Sequence, residues 1–146
     1  MSGFALDPRL AADTLALGDA RLSRVLLMND ARFPWLILVP RRAGLAEIAE
    51  LSPNERETLM EEIVAVSNAL SQRQGVEKIN VGALGNVVRQ LHVHIVGRSR
   101  DDAAWPGPVW GSGARQPYQN AAAQQLLREL AQPIAHILIA ASGESG

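Results

Sequence analysis

The sequence lacks cysteine altogether and carries little net charge. With no cysteine among 146 residues, neither a disulfide framework nor a thiolate metal site is available. A net charge of −1 gives no bulk attraction to nucleic acid or to an anionic membrane surface, so a polyanionic ligand must be held by a few placed groups. No apolar run approaches the roughly 20 residues of a transmembrane helix. We therefore expect neither nucleic acid nor a membrane as a partner.

The first residues also lack the pattern of an export signal. Residues 1–8 contain no basic segment followed by an apolar run, so no signal peptide is predicted and the expected location is the cytoplasm. Hydrophobic residues make up 47% of the chain and charged residues 20%, which is ordinary for a folded globular protein. This length and composition predict a single domain with its own core over residues 1–146.

The clearest local pattern is a capped amphipathic helix. Ser52 is an N-cap, Pro53 stands at the first helical position, and Glu55 completes a capping box. Apolar residues then recur at helical spacing. The pattern predicts a helix that reaches about Gln74 and is ended by Gly75.

The other elements follow from apolar runs bounded by turn residues. Asp7 and Pro8 predict the start of a short first helix, and residues 120–130 a C-terminal one. Strands are predicted at about residues 15–17, 22–28, 35–39 and 77–84, and within 87–98. The second and third of these strands are expected to form a hairpin.

Two of the three histidines, His92 and His94, are separated by a single residue. Residues 90–96 alternate with period two, which predicts a strand with Gln90, His92 and His94 on one face and apolar residues on the other. Three interpretations are open at this point. The histidines are a half-exposed polar surface, or they ligate a metal ion with further ligands from elsewhere, or they carry out nucleophilic chemistry.

Chemistry at phosphorus fits the third interpretation. A neutral imidazole is a good nucleophile near pH 7, because its pKa lies close to that pH. A second imidazole can act on the proton of the leaving group. Hydrogen-bond donors from a glycine-rich turn and from amide side chains can stabilise developing negative charge. Such groups are present at Asn80, Gly85, Asn86 and Gln90.

The segment Gln90-Leu91-His92-Val93-His94-Ile95-Val96 resembles the signature of the histidine-triad (HIT) superfamily, in which three histidines alternate with apolar residues. The order of elements is similar too: an apolar strand ending in Val39-Pro40-Arg41, the Ser52-capped helix, and the strand end Ile79-Asn80-Val81-Gly82. The resemblance covers about residues 22–98. Residues 99–146, with their Trp105-Pro106-Gly107-Pro108 loop and C-terminal helix, resemble a bacterial branch of the superfamily.

The resemblance implies an α+β fold, with an antiparallel sheet, one long helix and a C-terminal helix. It implies a nucleotide hydrolase or nucleotidyl transferase similar to diadenosine polyphosphate hydrolases, with a small-molecule nucleotide as ligand. His92 is then the nucleophile that forms a covalent nucleotidyl intermediate, and His94 contacts the phosphate and supports protonation near the scissile bond. Asn80 is expected beside the nucleotide, and Asn86 with Gly85 near the phosphate or leaving group. A homodimer is implied, with no metal or other cofactor.

The sequence departs from the family pattern at two positions. Gln90 replaces the first histidine of the triad, which matters little if its role is to orient the nucleophile through its backbone carbonyl. Trp35 replaces a histidine found upstream in many members, so a proton relay through that position is lost. These departures keep a second hypothesis open, a nucleotide-binding module without useful turnover, and a metal-dependent enzyme is the third. The loop of residues 105–110 either closes on substrate or packs across a dimer, and we expect the latter.

Overall fold

The computed structural model describes residues 3–140, which form one five-stranded antiparallel sheet with helices against it. The strand order is β1-β2-β3-β5-β4, and every neighbouring pair is antiparallel. The strands are β1 (Thr14–Asp19), β2 (Ser23–Met28), β3 (Trp35–Pro40), β4 (Lys78–Gly82) and β5 (Val93–Arg98). The hairpin predicted between the second and third strands is therefore confirmed.

Within residues 3–140, three α-helices complete the fold: α1 (Pro8–Asp13), α2 (Pro53–Ser71) and α3 (Asn120–Ala131), with 3₁₀ turns at Ile48–Glu50 and Ala135–Ile137. The expected α+β class, with one long helix and a C-terminal helix, is confirmed. Among residues 3–140, no helix has both the length and the apolar character needed to cross a membrane.

The start of α2 is as predicted, but its end is not. Ser52 accepts a hydrogen bond from the Glu55 backbone, and the Glu55 side chain accepts one from the Ser52 backbone, so the capping box is formed. The helix ends at Ser71, and the predicted extension to Gln74 is wrong. Gly75, with φ of 86°, belongs to a separate turn instead, in which the Val76 N–H donates to the Arg73 carbonyl.

Both faces of the sheet are covered, which explains why β3 and β5 are buried along their whole length. One face, with Leu36, Leu38 and Ile95, packs against α2 and α3. The other face, with Trp35 and Val96, lies under α1 and the loop that follows β5; Val109 of that loop joins the cluster. His94 stands opposite Ile37 in the ladder, and therefore on this second face.

The histidine strand is shorter than predicted. β5 begins at Val93, and the first ladder pairs join Val93 to Leu38 and His94 to Gly82. Gln90 precedes the ladder, so the expected row of Gln90, His92 and His94 on one strand face is wrong. The period-two pattern misled because it does not show where the ladder begins, which depends on the strands that pair with β5.

Candidate active site

A cleft of about 500 Å³ lies on the second face of the sheet, and His92 and His94 form part of its wall. This volume lies within the range of small-molecule sites in proteins, roughly 300–1,000 Å³. The lining comes from the end of α1, the turn between β2 and β3, the segment before β5 and the loop after it. Its other members are Asp13, Met28, Asp30, Arg32, Trp35, Leu84, Gly85, Asn86, Val87, Val88, Val109, Trp110, Gly111, Gly113 and Arg115.

The hydrogen-bond partner of His92 determines which of its nitrogens is free. Nδ1 of His92 lies 2.7 Å from the backbone carbonyl oxygen of Gln90. A carbonyl oxygen only accepts, so Nδ1 carries the hydrogen, and in the neutral ring Nε2 keeps its lone pair. The ring is 7% exposed and lines the cleft. His92 therefore has the tautomer that a nucleophile needs, in a fixed orientation.

His94 is held from a different direction. Its Nδ1 accepts a hydrogen bond of 3.1 Å from Nε1 of Trp35, and its ring centroid lies 4.8 Å from that of His92. Burial, together with the neighbouring His92, lowers the pKa of His94 to about 3. His94 is therefore neutral through the physiological pH range.

Trp110 closes the histidine pair from the loop side. Its ring lies 5.4 Å from the His94 ring and 6.4 Å from the Trp35 ring, each in an edge-to-face arrangement. A Cβ added to Gly82 would lie 3.0 Å from the Trp110 ring, so the absence of a side chain there makes room for the indole. Trp110 therefore packs within its own chain, and the expected packing of this loop across a dimer stays a prediction.

Two of the three predicted substrate-binding residues, Gly85 and Asn86, line the cleft. Gly85 adopts a φ of 76°, which permits a tight turn beside the histidines, and Asn86 follows it. The side chain of Gln90 instead accepts from the Asp7 N–H at 2.9 Å and donates to the Ala5 carbonyl at 2.9 Å. Only the backbone of Gln90 reaches His92.

Asn80 is the other predicted residue outside the cleft lining. It lies on the same face of the sheet as His94, because it stands opposite Val96 in the ladder. Its side-chain oxygen accepts a hydrogen bond of 2.8 Å from Arg98. In this arrangement Asn80 supports Arg98 rather than presenting its amide to the cleft.

Arg98 is 1% exposed and ties the loop after β5 to the sheet. Its guanidinium donates to both carboxylate oxygens of Asp102, at 2.7 and 3.0 Å, and to the Gly107 carbonyl at 2.8 Å. The hydrogen bonds from Arg98, with those from the Ser99 and Ala104 backbone, lower the pKa of Asp102 to about 2. Because each of the three nitrogens of this buried guanidinium has a hydrogen-bond partner, the loop that carries Trp110 is anchored at its base.

The cleft also has a charged side that the sequence did not reveal. Asp30 is 1% exposed and forms an ion pair of 2.8 Å with Arg32, whose Nη1 also donates to the Ser112 carbonyl at 2.6 Å. Burial alone would raise the pKa of Asp30, but the hydrogen bonds from Arg32 hold it below its ordinary value. The Asn29-Asp30 turn was the available signal, but it indicates only a turn.

The second ion pair on this side joins Asp13 at the end of α1 to Arg115 in the loop, at 2.9 Å. Both residues line the cleft. Among residues 3–140, no group of three or more histidine, aspartate or glutamate side chains is arranged to hold a metal ion. The third histidine, His136, lies in the C-terminal 3₁₀ turn outside the cleft.

Fold and site together define an α+β protein with a histidine pair in a cleft of small-molecule size. The comparison with known families agrees with this class. The HIT domain family matches residues 9–101, which is most of the chain, so the protein belongs to the HIT family. This family includes nucleotide hydrolases and nucleotide-binding proteins.

Solved structures give the same result. A histidine triad protein from Marinobacter aquaeolei is 44% identical, with a TM-score of 0.90, and the match covers 93% of this chain and 99% of that one. A histidine triad protein from Sinorhizobium meliloti is also 44% identical, with a TM-score of 0.88 and coverage of 91% and 98%. A hypothetical histidine triad nucleotide-binding protein from Sulfolobus tokodaii, at 15% identity, TM-score 0.57 and coverage of 84% and 85%, shows the fold alone. No curated protein matches the chain.

Proposed function

We propose that this protein is a nucleotide hydrolase or nucleotidyl transferase that works through a covalent nucleotidyl-His92 intermediate. The candidate substrates are phosphoanhydrides, esters or phosphoramidates of an adenine nucleotide, diadenosine polyphosphates among them. The observation that carries the proposal is the hydrogen bond between Nδ1 of His92 and the Gln90 carbonyl. This hydrogen bond orients the buried imidazole and leaves the lone pair on Nε2 of a residue that lines the cleft.

The reaction takes place in two displacements. In the first, Nε2 of His92 attacks the phosphorus next to the nucleoside, the bond to the leaving group breaks, and its electron pair departs with the leaving atom. In the second, a water oxygen attacks the same phosphorus, the phosphorus–nitrogen bond breaks, and its electron pair returns to Nε2. The proton of the water passes to solvent. An acceptor other than water turns the hydrolase into a transferase.

The other predicted residues have supporting roles in this proposal. The Gln90 carbonyl accepts the Nδ1 hydrogen and stabilises the positive imidazole ring of the intermediate. Gly85 and Asn86 supply donors to the phosphate or leaving group, since both line the cleft beside His92. Asn80 acts indirectly: it accepts a hydrogen bond from Arg98, and Arg98 anchors the loop that carries Trp110.

The same structure supports a second candidate function, a nucleotide-binding module without turnover. The observation that favours it is the hydrogen bond from the Trp35 indole to Nδ1 of His94. With its pKa lowered to about 3 by burial, His94 has no imidazolium proton to give to a basic leaving group. Binding alone predicts that nucleotides raise the melting temperature of the wild type and of His92→Ala equally, with no product formed.

We propose in addition that the protein is a homodimer. β4 lies at the edge of the sheet and pairs on one side only among the described strands. Its Val81 side chain is 49% exposed. An edge strand with an exposed apolar side chain is suited to pairing with a second copy of itself.

A panel of nucleotides, assayed for product with purified wild type, His92→Ala and His136→Ala, tests the proposed function. His136 is the matched control, because it is a histidine that lies outside the cleft. We expect turnover by the wild type and by His136→Ala, and a loss of about 10⁴-fold or more in His92→Ala, as for other nucleophiles. No product from any nucleotide with the wild type would contradict the enzyme and leave the binding module.

A further inference from the structure

Trp35 and His94 form an isolated hydrogen-bonded pair inside the protein. Trp35 stands opposite Val96 and His94 opposite Ile37, so the two side chains are diagonal neighbours on one face of adjacent strands. The indole Nε1 donates to Nδ1 of His94 at 3.1 Å. Trp35 is 5% exposed and His94 6% exposed, so water has little access to this bond.

The chemistry of the indole decides the tautomer of His94. An indole N–H is a donor only and cannot accept a hydrogen bond. Nδ1 of His94 must therefore hold a lone pair, and the hydrogen of the neutral ring lies on Nε2. His92 has the opposite arrangement, with its hydrogen on Nδ1, because its partner is a carbonyl oxygen. The two neighbouring histidines thus carry opposite tautomers.

We propose that Trp35 fixes His94 as a neutral Nε2–H donor, and that the cleft consequently favours substrates whose leaving group departs without a proton. This rests on the proposed function and narrows its substrate class to phosphoanhydrides, in preference to phosphoramidates of alkylamines and to alkyl esters. Trp35 is a positioning residue in this proposal, since it acts through His94.

The surroundings of His94 do not provide a counter-charge that would favour its cation. The rings that pack against it belong to Trp35, Trp110 and His92, and only His92 among them is titratable. Protonation would place an Nδ1 hydrogen against the indole hydrogen, which replaces a hydrogen bond with a repulsion. The charged groups elsewhere in the cleft lining are paired with each other, Asp30 with Arg32 and Asp13 with Arg115.

The proton balance of the first displacement then selects the leaving group. A neutral His94 that gave its Nε2 hydrogen to the leaving group would become an imidazolate anion, so it keeps the hydrogen and donates a hydrogen bond only. A phosphate leaves as a stable anion, since its second pKa is about 6. An alkylamine that took no proton would leave as an amide anion, which is far more basic than phosphate. Its nitrogen must therefore take a proton as it leaves, and the cleft has no imidazolium at His94 to supply one.

The tautomer is measured directly by nitrogen NMR of the full-length protein labelled with ¹⁵N-histidine, with no substrate present. We expect the His94 ring to show a bonded hydrogen on Nε2 and an unprotonated Nδ1 from pH 5 to pH 8. Trp35→Phe keeps an aromatic ring but removes the N–H, and should release His94 to populate both tautomers. Trp105→Phe is the matched control, because Trp105 lies outside the cleft lining, and should leave the His94 signals unchanged.

The selectivity is measured with a diadenosine polyphosphate and an adenosine phosphoramidate of an alkylamine as probes. We expect the wild type to have the higher kcat/KM for the anhydride. Trp35→His, which places a titratable ring beside His94, should raise the phosphoramidate rate relative to the anhydride rate at least about tenfold, because general acid catalysis is typically worth 10²–10⁴. Circular dichroism and melting temperature show whether each variant is folded.

Three results would overturn the inference. A hydrogen on Nδ1 of His94 in the wild type contradicts the tautomer. Equal kcat/KM for the two probes in the wild type contradicts the selectivity, and so does an unchanged ratio in a folded Trp35→His. If neither probe is turned over, the proposed function fails and the selectivity with it, whereas the NMR measurement still decides the tautomer.

Discussion

A histidine side chain takes its chemical role from the atom that its Nδ1 faces. The Gln90 carbonyl leaves Nε2 of His92 with a lone pair, whereas the Trp35 indole leaves Nε2 of His94 with a hydrogen. One ring is therefore prepared to attack phosphorus and the other to donate to its oxygens. Both residues are histidines, so the residue type cannot distinguish their roles. The different tautomers follow from the different hydrogen-bond partners.

At Gln90, the structure separates a backbone role from a side-chain role. Gln90→His restores the triad in sequence, but we expect kcat to change less than about threefold, because the group that touches His92 is the carbonyl. The free energy of unfolding should fall by about 1–2 kcal/mol, because the side-chain hydrogen bonds to Asp7 and Ala5 are lost. Steady-state kinetics and urea unfolding measure both quantities.

Gln74→His is the control for this prediction, since Gln74 is exposed and remote from the cleft. It should alter neither quantity. A rise of tenfold or more in kcat for Gln90→His, with no change in the control, would show that the first position needs an imidazole and that the backbone explanation is wrong.

The residues of the site were predictable to different degrees. The alternation of residues 90–96 identified His92 and His94, and the Gly85-Asn86 turn beside them is in the cleft as expected. The hydrogen bond from Trp35 joins residues 59 positions apart in the chain. No local pattern carries such a contact, and the same holds for Trp110, whose place depends on how the loop returns to the sheet.

At the scale of elements, the loop after β5 is the part that brings Trp110 to the histidines. Arg98 at the end of β5 and Asp102 in the loop form the bond that holds it, with side chains 1% and 8% exposed. A buried ion pair of this kind adds little net stability over an apolar pair, but removing one partner is costly. The loop therefore depends on Asp102 more than its polar surroundings suggest.

Asp102→Asn should lower the free energy of unfolding by about 3 kcal/mol at pH 7, because it leaves the buried Arg98 without its counter-charge. Denaturant unfolding measures this loss. The pKa of Asp102 is about 2 in the folded protein, below the roughly 3.9 of an unfolded chain. Its contribution is thus complete above about pH 4 and is lost as the pH falls toward 2.

The difference between wild type and Asp102→Asn should accordingly shrink between pH 4 and pH 2. Asp101→Asn serves as the control. The Asp101 carboxylate stands next to Asp102 in the sequence, but it is exposed and makes no ion pair among residues 3–140. A difference that stays constant down to pH 2 would mean that the Asp102 charge does not stabilise the loop.

The elements themselves were largely predictable, and the errors share a cause. The capping box of Ser52 and Glu55 marked the start of α2 because capping depends on neighbouring residues. The extent of β5 and the end of α2 depend on which partners are present in three dimensions. β5 starts at Val93, where its ladder with β3 begins, and β4 joins at His94. The periodicity of the sequence does not contain this information.

At the scale of the whole molecule, the free edge of β4 bears on the proposed dimer. Val81→Glu places a charge on that edge and should convert the dimer to a monomer. Sedimentation velocity measures the change in mass. Ile139→Glu is the control, because Ile139 is 52% exposed but lies away from β4, and it should remain dimeric. A monomeric wild type, or a dimeric Val81→Glu, would contradict pairing through this edge.

At the scale of the whole molecule, the stereochemistry at phosphorus tests the proposed covalent nucleotidyl-His92 intermediate most directly. The measurement is hydrolysis of a dinucleotide that carries a chiral phosphorothioate at the attacked phosphorus, in isotopically labelled water. Two successive in-line displacements each invert the configuration, so we predict net retention, as in two-step glycoside hydrolysis. This result does not require the intermediate to accumulate. Net inversion would show that water attacks directly, and would contradict His92 as the nucleophile.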